Sequence, residues 1–276
     1  MAVVLIFAKM RTGLKHAIRA IFFDIDGTLI TNQKVISKNV ISEIHRVRDA
    51  YNIPMFYISA RMPKAINTVA LNLNLNETII AYTGALILNN NTIIRKSFIA
   101  EAISSKIVQE AINANIEYIG VYSFDNWYVN SDNYFTQREI NATKVLPEYV
   151  AIENVTVENV QKIMLRDAPE KISAIVDKLR SHPEVNVFKT QANALEIFDN
   201  SCSKAVSVKY MSNQLNIPLE SMMAIGDSEG DKEMIQTVGY GIAMGNADDS
   251  IKKIAFDVTS SNDEDGVANA LKKYFP

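Results

Sequence analysis

The chain has 276 residues, enough for one large domain or two modest ones, and its 48% hydrophobic and 21% charged residues are typical of a globular protein that folds in water. The net charge of −3 excludes a strong field that would hold the whole molecule on a nucleic acid or a membrane, and the single cysteine excludes an intrachain disulfide. We therefore expect a cytoplasmic protein, a monomer or a weak homodimer, with no nucleic-acid or membrane partner.

Residues 1–19 precede the first predicted element. They do not have the order of a secretory signal, because their basic residues follow the apolar stretch instead of preceding it. That stretch is also much shorter than the roughly 18 apolar residues of a membrane span. We expect a loosely attached extension, and a weak basic surface anchor is the alternative.

Short apolar runs alternate with helical patterns in the first part of the chain. Strands are predicted at residues 20–24, 54–59 and 78–84, and helices at residues 37–51 and 63–75. This alternation favours a parallel sheet with helices on its faces.

The middle of the chain has a different pattern. A hairpin is predicted at residues 85–96, further strands at 116–123, 127–130, 160–167 and 185–190, and helices near 99–114 and 169–181. Hairpins mixed with helices indicate an antiparallel α+β unit.

Strand–helix alternation then returns. Helices are predicted at residues 203–215, 231–238, 248–254 and 265–274, and strands at 221–227, 240–244 and 256–259. The simplest fold class is α/β, with a doubly wound parallel-sheet core of residues 1–84 plus 197–276. An inserted α+β domain of residues 85–196 interrupts this core.

Candidate functional residues lie just beyond the carboxyl ends of the predicted parallel strands, where open α/β sheets gather functional groups, and at the start of one helix. They are Asp24 and Asp26 after the first strand, Ser59, Ala60 and Arg61 after the second, Asp227, Ser228 and Asp231 after strand 221–227, and Lys204 at the start of a helix. Taken singly, each could cap a helix or face solvent. Their joint placement indicates a site.

Carboxylates gathered at one edge repel one another unless a cation lies among them. Oxygen ligands without a neighbouring His or Cys suit Mg²⁺, and together with Lys204, a hydroxyl and free backbone N–H groups they make a phosphate site. In such a site Asp24 can attack phosphorus, while Asp26 can protonate the leaving oxygen and then deprotonate a water.

Four motifs carry a family resemblance: "FFDIDGTL" at residues 22–29, "ISAR" at 58–61, "LEI" at 195–197 with "SKA" at 203–205, and "GDSEGDKEM" at 226–234. In these motifs the sequence resembles the haloacid dehalogenase-like hydrolases, and among them the Cof-type phosphatases, over residues 20–274. The resemblance implies a Rossmann-like core that carries a large inserted α/β cap.

The resemblance also implies roles. Asp24 would be the nucleophile and a Mg²⁺ ligand. Asp26 would be the acid/base and would bind the metal through its backbone carbonyl. Asp227 would complete the protein's share of the metal ligands.

The phosphate would be held by groups from several motifs, namely the backbone at Ile25, the Ser59 hydroxyl, the Ala60 N–H, Lys204 and the loop at Gly230. Asp231 would orient Lys204 or the metal waters, and Ser228 and Arg61 would lie behind the groups in direct contact.

Three departures from the family pattern stand out. Gly230 replaces the asparagine of the usual G-D-x-x-N-D motif, and Thr83 replaces an asparagine at the cap boundary. Ser201 and Ala205 stand where glycines usually flank the Ser-Lys pair. We expect these changes to affect efficiency or substrate position more than reaction type.

The predicted function is a Mg²⁺-dependent phosphatase that hydrolyses a small phosphorylated metabolite through an aspartyl-phosphate intermediate. A phosphomutase or phosphotransferase is one alternative, and a weakly catalytic, metabolite-binding regulatory protein is another. Substrate selectivity would reside in the cap, where Trp127, Tyr128, Tyr122 and Arg166 are candidates.

Overall fold

Fourteen strands form two separate sheets in the computed structural model, which describes residues 17–73, 78–90, 92–152 and 157–276. The strands are β1 (Ala20–Asp24), β2 (Met55–Ile58), β3 (Thr78–Ala81), β4 (Leu86–Asn89), β5 (Thr92–Lys96), β6 (Tyr118–Ser123), β7 (Asn126–Val129), β8 (Glu148–Tyr149), β9 (Lys162–Arg166), β10 (Val185–Gln191), β11 (Ala194–Asp199), β12 (Met222–Gly226), β13 (Tyr240–Ala243) and β14 (Asp257–Val258).

Helices connect and cover the sheets. They are α1 (Lys38–Tyr51), α2 (Pro63–Leu73), α3 (Glu101–Asn113), α4 (Tyr134–Thr143), α5 (Pro169–Arg180), α6 (Lys204–Leu215), α7 (Lys232–Thr237), α8 (Asp249–Lys252) and α9 (Gly266–Tyr274). In the part of the chain that the structure describes, no helix has the length and apolar character needed to cross a membrane.

The larger sheet has eight strands in the order β14-β13-β12-β1-β2-β3-β4-β5. Its central strand β1 is buried at every residue and pairs in parallel with β2 on one side and β12 on the other. Such a continuous apolar run is the expected sequence of a strand covered on both faces. Within the described residues, antiparallel pairing in this sheet is confined to the β3-β4-β5 edge.

The smaller sheet has six strands in the order β10-β11-β9-β6-β7-β8 and is antiparallel except where β7 meets β8. One face is covered by α3 and α5, whose Ile107 and Ile172 join a separate apolar cluster. The opposite face carries Tyr118, Tyr122 and Trp127, which belong to the same apolar cluster as residues of β1. The second face therefore packs toward the larger sheet.

The predicted fold class is confirmed: a parallel-sheet core with flanking helices is combined with a second α+β unit. The predicted strands and helices occur with ends shifted by a few residues. Three elements were missed, namely α4, β8 and β11. Positions 74, 75 and 91, which belong to a predicted helix and a predicted hairpin, lie outside the described residues.

Sheet membership bears on the predicted division into a core of residues 1–84 plus 197–276 and a cap of residues 85–196. Strands β4 and β5 pair within the larger sheet, and β11 pairs within the smaller one. We propose that the inserted unit begins after β5 and ends after β11. Of the predicted extension at residues 1–19, only residues 17–19 are described, and the Arg19 N–H donates to the Ser221 carbonyl at 2.8 Å.

Candidate active site

The side chains predicted to act together lie at one edge of the larger sheet. Strands β1, β2 and β12 are neighbours and run in parallel, so their carboxyl ends face the same way. Asp24 is the last residue of β1, Ser59 directly follows β2, and Asp227 directly follows β12. The fold therefore brings together residues that are far apart in the chain, such as Lys204 and Asp24, which are 180 positions apart.

Lys204 lies at the centre of the site and is the first residue of α6, where Ser203 caps the helix. Its Nζ donates to Asp24 Oδ1 at 2.5 Å and to Asp231 Oδ1 at 2.6 Å, and all three side chains are buried. A cation is disfavoured at a helix N-terminus, and two carboxylates compensate for this. Burial opposes the charge of Lys204, but the carboxylates of Asp231 and Asp24 outweigh burial and raise the pKa of the ammonium group.

Three carboxylates form an acidic cluster beside this lysine. Asp24, Asp227 and Asp231 each offer one oxygen, and these oxygens lie within 4.8 Å of one another. Burial raises the pKa of Asp24 well above its usual value, with a further contribution from the charge of Asp231. Burial and the same Asp231 charge raise the pKa of Asp227 to about 7. The positive charge of Lys204 alone therefore does not keep Asp24 and Asp227 at their ordinary pKa values.

A divalent cation fits this cluster. Among the described residues, Asp227 Oδ1 is buried and has no hydrogen-bond partner, as expected of an oxygen shaped to bind something else. The ligand atoms are all carboxylate oxygens, which suit a hard cation such as Mg²⁺.

Asp231 differs from the other two members of the cluster because both of its oxygens are already engaged. Oδ1 accepts from Lys204, while Oδ2 accepts from the Asp227 N–H, the Ser228 N–H and the Ser228 hydroxyl at 3.2, 3.0 and 2.8 Å. Asp24 and Asp227 are thus better placed to bind a cation. Asp231 instead fixes the lysine and the loop after β12.

The carboxylate of Asp26 lies outside the acidic cluster. Arg61 donates to it twice, from Nε and from Nη2, each at 2.7 Å, and Lys34 Nζ lies 3.5 Å away. The side chain of Asp26 is 45% exposed. Partial loss of water around the carboxylate opposes its ionisation, but the hydrogen bonds and charge of Arg61 outweigh this and lower its pKa. Arg61 is therefore the residue that orients Asp26, a direct role that the sequence did not reveal.

The predicted phosphate loop follows β2. Ser59 is buried, and its hydroxyl oxygen accepts from the Arg61 N–H at 3.1 Å. Its carbonyl accepts from the Thr83 N–H at 2.9 Å, which ties the loop to the turn after β3. The Ile25 carbonyl accepts from the N–H groups of Thr28 and Ile30, so the chain curls tightly after β1.

Two residues that sequence reasoning passed over shape the metal edge. Gly27 has φ +80°, an angle at which other residues are strained, and a Cβ there would lie 2.2 Å from Asp227 Oδ2, so a larger residue would have to displace that carboxylate. Asn246 Nδ2 donates to the Gly27 carbonyl at 2.9 Å and to Asp227 Oδ2 at 3.1 Å. Asn246 belongs to the segment "GIAMGNA" at residues 241–247, and a polar residue soon after a predicted strand was the signal that could have identified it.

The positions that depart from the family pattern have distinct surroundings. Gly230 is exposed, and a Cβ there would meet only Ser228 Oγ at 3.5 Å. Thr83 is buried with φ 56°, a left-handed angle that is unusual for a β-branched residue. Ser201 donates to Asp199 Oδ1 through its N–H and its hydroxyl, and Ala205 is buried in the first turn of α6.

The four residues of the smaller sheet that were predicted to select the substrate are engaged in packing or in an ion pair. Trp127 and Tyr122 are buried and stack with ring centroids 5.8 Å apart, so they are packing residues of this face. Tyr128 points to the opposite face and packs against the helix-covered cluster. Arg166 is buried beside Glu139, with Nη2 3.8 Å from Oε2.

Comparison with known proteins identifies the family. A model of the haloacid dehalogenase-like hydrolase family matches residues 21–271. The chain belongs to this family. The match spans both sheets, so the larger core and the inserted unit are covered together.

Relatives and solved structures agree with this assignment. A Haemophilus influenzae protein named "Putative phosphatase" is 32% identical over 94% of this chain and 98% of its own length. The 5-amino-6-(5-phospho-D-ribitylamino)uracil phosphatase of Bacillus subtilis is 27% identical over 92% of this chain and 97% of its own. A crystal structure of a haloacid dehalogenase-like hydrolase from Bacteroides thetaiotaomicron superposes with a TM-score of 0.86 at 26% identity, covering 94% of this chain and all of the other. The predicted family and enzyme class, a haloacid dehalogenase-like phosphatase, are confirmed.

Proposed function

We propose that this enzyme is a Mg²⁺-dependent phosphatase that hydrolyses a small phosphorylated metabolite through an aspartyl-phosphate intermediate. The observation that carries the proposal is the position of Asp24. Its carboxylate touches the buried ammonium of Lys204 and also shares the acidic cluster with Asp227. A nucleophile placed between a fixed cation and a cation site can approach a phosphate dianion that a bare carboxylate would repel.

The metal would be held by the carboxylates of Asp24 and Asp227 and by the backbone carbonyl of Asp26. Two observations support this set, namely the unpartnered Asp227 Oδ1 and the raised pKa values of Asp24 and Asp227. When bound, Mg²⁺ supplies positive charge that neutralises the oxygens of the transferring phosphoryl group. Asn246 holds the other oxygen of Asp227 and keeps that carboxylate in place.

The remaining groups at the sheet edge bind the phosphate. Lys204, the Ser59 hydroxyl and the N–H groups at Ile25 and Ala60 donate to the phosphate oxygens. Gly230 lies on the exposed loop after β12 and contributes main chain without a side chain. Asp231 and Ser228 keep Lys204 and this loop in position through their mutual hydrogen bonds.

Two steps complete the reaction. Asp24 attacks phosphorus while the bond between phosphorus and the ester oxygen breaks, and Asp26 gives its proton to the leaving oxygen. Asp26, now ionised, takes a proton from a water that attacks the aspartyl phosphate. Inorganic phosphate leaves, and both carboxylates return to their starting states. Arg61 supports the ionised form of Asp26 that the second step requires.

A panel of phosphate esters tests the proposal. It contains sugar phosphates, pyridoxal phosphate, flavin mononucleotide and the 5-amino-6-(5-phospho-D-ribitylamino)uracil named for the B. subtilis relative. We expect release of inorganic phosphate that requires Mg²⁺ and stops on chelation. An isomerised ester without free phosphate would show a mutase, and tight binding without turnover would show a regulatory protein. Full activity after complete removal of metal would refute the metal assignment.

The proposal extends to the cellular location and the oligomeric state of the enzyme. The single cysteine and the net charge of −3 support a cytoplasmic enzyme that acts on small molecules. We expect a monomer or a weak homodimer, which sedimentation at micromolar concentration would establish.

A further inference from the structure

A lysine of the smaller sheet reaches the predicted phosphate loop. Lys162 begins β9 and is 3% exposed. Its Nζ donates to the Ala60 carbonyl at 3.1 Å and to Glu196 Oε1 at 3.3 Å, and it lies 4.4 Å from the ring centroid of Tyr122. Ala60 is 102 residues away in the chain and belongs to the loop after β2.

The charge of Lys162 requires an explanation, because burying an ammonium group is costly even when it is paired. Apolar side chains in place of Lys162 and Glu196 would fill the same space without the cost of removing two charges from water. The pair also leaves the ammonium free to donate a second hydrogen bond, and this bond goes to the main chain of the other sheet's loop. The loop contact is therefore what distinguishes Lys162 from an ordinary buried ion pair.

The contact acts on the peptide that supports Ser59. The Ala60 carbonyl and the Arg61 N–H belong to one peptide group, and that N–H donates to the Ser59 hydroxyl oxygen at 3.1 Å. A cation on the carbonyl polarises the peptide and strengthens its N–H as a donor. A hydroxyl that accepts a stronger bond becomes a better donor itself. The chain of contacts thus runs from Lys162 through the peptide to the hydroxyl expected to bind phosphate.

The neighbouring charged pair on the same face does not share this contact. Arg166 interacts with Glu139 at 3.8 Å and donates to Gln191 Oε1 at 3.2 Å. Lys162 and Arg166 lie on one strand with their side chains on the same face, yet these two partners of Arg166 both belong to the smaller sheet's unit. Lys162 therefore contacts the loop of the larger sheet, whereas these partners of Arg166 keep it within the smaller sheet's unit.

We propose that Lys162 is a positioning residue that fixes the Ser59–Ala60–Arg61 loop in its phosphate-binding conformation when the smaller sheet lies against the core. The proposal rests on the proposed phosphate site. It predicts that the loop's affinity for a phosphate group depends on a residue of the inserted unit that touches neither the phosphate nor the leaving group.

The test compares Lys162→Met with the double variant Lys162→Met/Glu196→Gln, which also removes the carboxylate that would be left unpaired. Lys171→Met is the matched control, since Lys171 is a half-exposed lysine of the same unit that pairs with Asp167. The first probe is inorganic phosphate with Mg²⁺, whose binding is measured by calorimetry and needs no turnover. The second probe is p-nitrophenyl phosphate, whose leaving group offers little for polar side chains to recognise.

We expect phosphate affinity and kcat/KM for p-nitrophenyl phosphate to fall about tenfold in both Lys162 variants and to stay unchanged in the control. Wild-type phosphate affinity in a folded double variant would overturn the proposal, because Lys162 would then serve only Glu196. A loss confined to esters with polar leaving groups would also overturn it and would make Lys162 a leaving-group contact. Failure of the wild-type protein to bind phosphate would overturn it as well.

The test of the Lys162 positioning role can succeed or fail independently of the test of phosphatase activity. A wild-type protein that binds phosphate but hydrolyses no ester would refute the phosphatase proposal. The affinity difference between the Lys162 variants and Lys171→Met would still decide the positioning role.

Discussion

Arg61 holds the carboxylate of Asp26 through two parallel hydrogen bonds, each 2.7 Å long. This fork geometry fixes the direction of the carboxylate as well as its charge. The two bonds from Arg61 also hold the Asp26 carboxylate away from the acidic cluster. Asp24 and Asp26, which are two residues apart in the chain, therefore have opposite pKa shifts. The pKa of Asp24 is raised by burial, and that of Asp26 is lowered by Arg61 although partial desolvation opposes the shift.

Replacing Arg61 by Met should move the acid limb of the pH profile to higher pH. Without the guanidinium the pKa of Asp26 rises, so this group is protonated over a wider acidic range and cannot accept a proton from water. The measurement is the rate of aspartyl-phosphate breakdown across the range from about pH 4 to about pH 8, which brackets the ordinary carboxyl pKa. Lys34→Met is the control, since Lys34 is exposed and 3.5 Å away, and its limb should move less. An unmoved limb in Arg61→Met would exclude Asp26 as the base.

Replacing Asp24 by Asn should abolish turnover while the protein stays folded. The amide cannot attack phosphorus, whereas burial already disfavours the charged carboxylate, so the neutral side chain is tolerated. Lys204 keeps its contact with Asp231. Phosphate release and thermal unfolding are the measurements, and Asp26→Asn, expected to be roughly 10²–10⁴-fold slower than wild type, is the comparison. Near-normal rates in Asp24→Asn would require another nucleophile.

Replacing Asp227 by Asn should stabilise the metal-free protein at about pH 8 and remove its response to Mg²⁺. In the folded protein the pKa of Asp227 is about 7, above the ordinary aspartate value of 3.8. Its contribution to stability is therefore present at acidic pH and is lost as the pH rises toward 7, because ionisation becomes costly in the fold. The amide avoids this cost.

Thermal unfolding with chelator and with Mg²⁺, at about pH 4 and about pH 8, measures both effects on either side of the Asp227 titration. A gain of about 1 kcal/mol corresponds to roughly 2–4 °C in a protein of about this size. The gain should disappear at the acidic pH. A variant that is less stable than wild type in chelator at the alkaline pH would contradict the assigned charge crowding.

Much of the site could be predicted because its residues lie in short motifs that follow strands. Asp24 and Asp227 needed only the rule that parallel strands share a functional edge, while Lys204 stood out as a cation at the start of a helix, where it requires an anionic partner. The contacts of Arg61 and Lys162 could not be predicted, because each depends on where a side chain from a distant segment ends. The Lys162–Ala60 bond joins two units whose relative placement no local pattern encodes.

Two of the missed elements have clear physical causes. Helix α4 has few apolar residues to form a stripe, and its local signal is the Asn133 side chain, which accepts from the Thr136 N–H. In the sequence, residues 195–197 of β11 were interpreted as part of a family motif and not as part of a strand. The six residues of this strand are almost entirely buried. In both cases the tertiary setting, more than intrinsic propensity, decides the conformation.

Replacing Gly230 by Asn should leave activity equal or improve it by up to about tenfold, the worth of one recovered hydrogen bond of roughly 1–1.5 kcal/mol. The surroundings leave room for the side chain, since a Cβ at this position would have Ser228 Oγ as its nearest neighbour, at 3.5 Å, and no left-handed φ is involved. Steady-state rates at saturating Mg²⁺ measure the effect. A tenfold fall in a folded variant would show that the loop depends on glycine.

Replacing Thr83 by Asn should raise the free energy of unfolding by roughly 0.5–1 kcal/mol, because asparagine adopts left-handed angles more readily than a β-branched residue does. The φ of Thr83 is 56°. Chemical denaturation is the measurement, and Thr83→Val is the matched comparison because it keeps the branch. Thr83→Val should not share the gain. Equal stability of the Asn variant and wild type would mean that the surrounding turn removes the strain.

Helix α2 depends on the smaller sheet for its first turn. Its Lys64 N–H donates to Asp125 Oδ1 at 2.8 Å, and the Tyr82 hydroxyl donates to the neighbouring Phe124 carbonyl at 2.6 Å, so the β6–β7 turn rests on the start of the helix. A carboxylate that accepts from a first-turn N–H satisfies a donor that the helix leaves unpaired and interacts favourably with the helix dipole. A displacement of the β6–β7 turn away from the larger sheet would leave the Lys64 N–H without this partner. Asp125 therefore couples the position of the smaller sheet to the end of the helix that begins just after Arg61, next to the predicted phosphate loop.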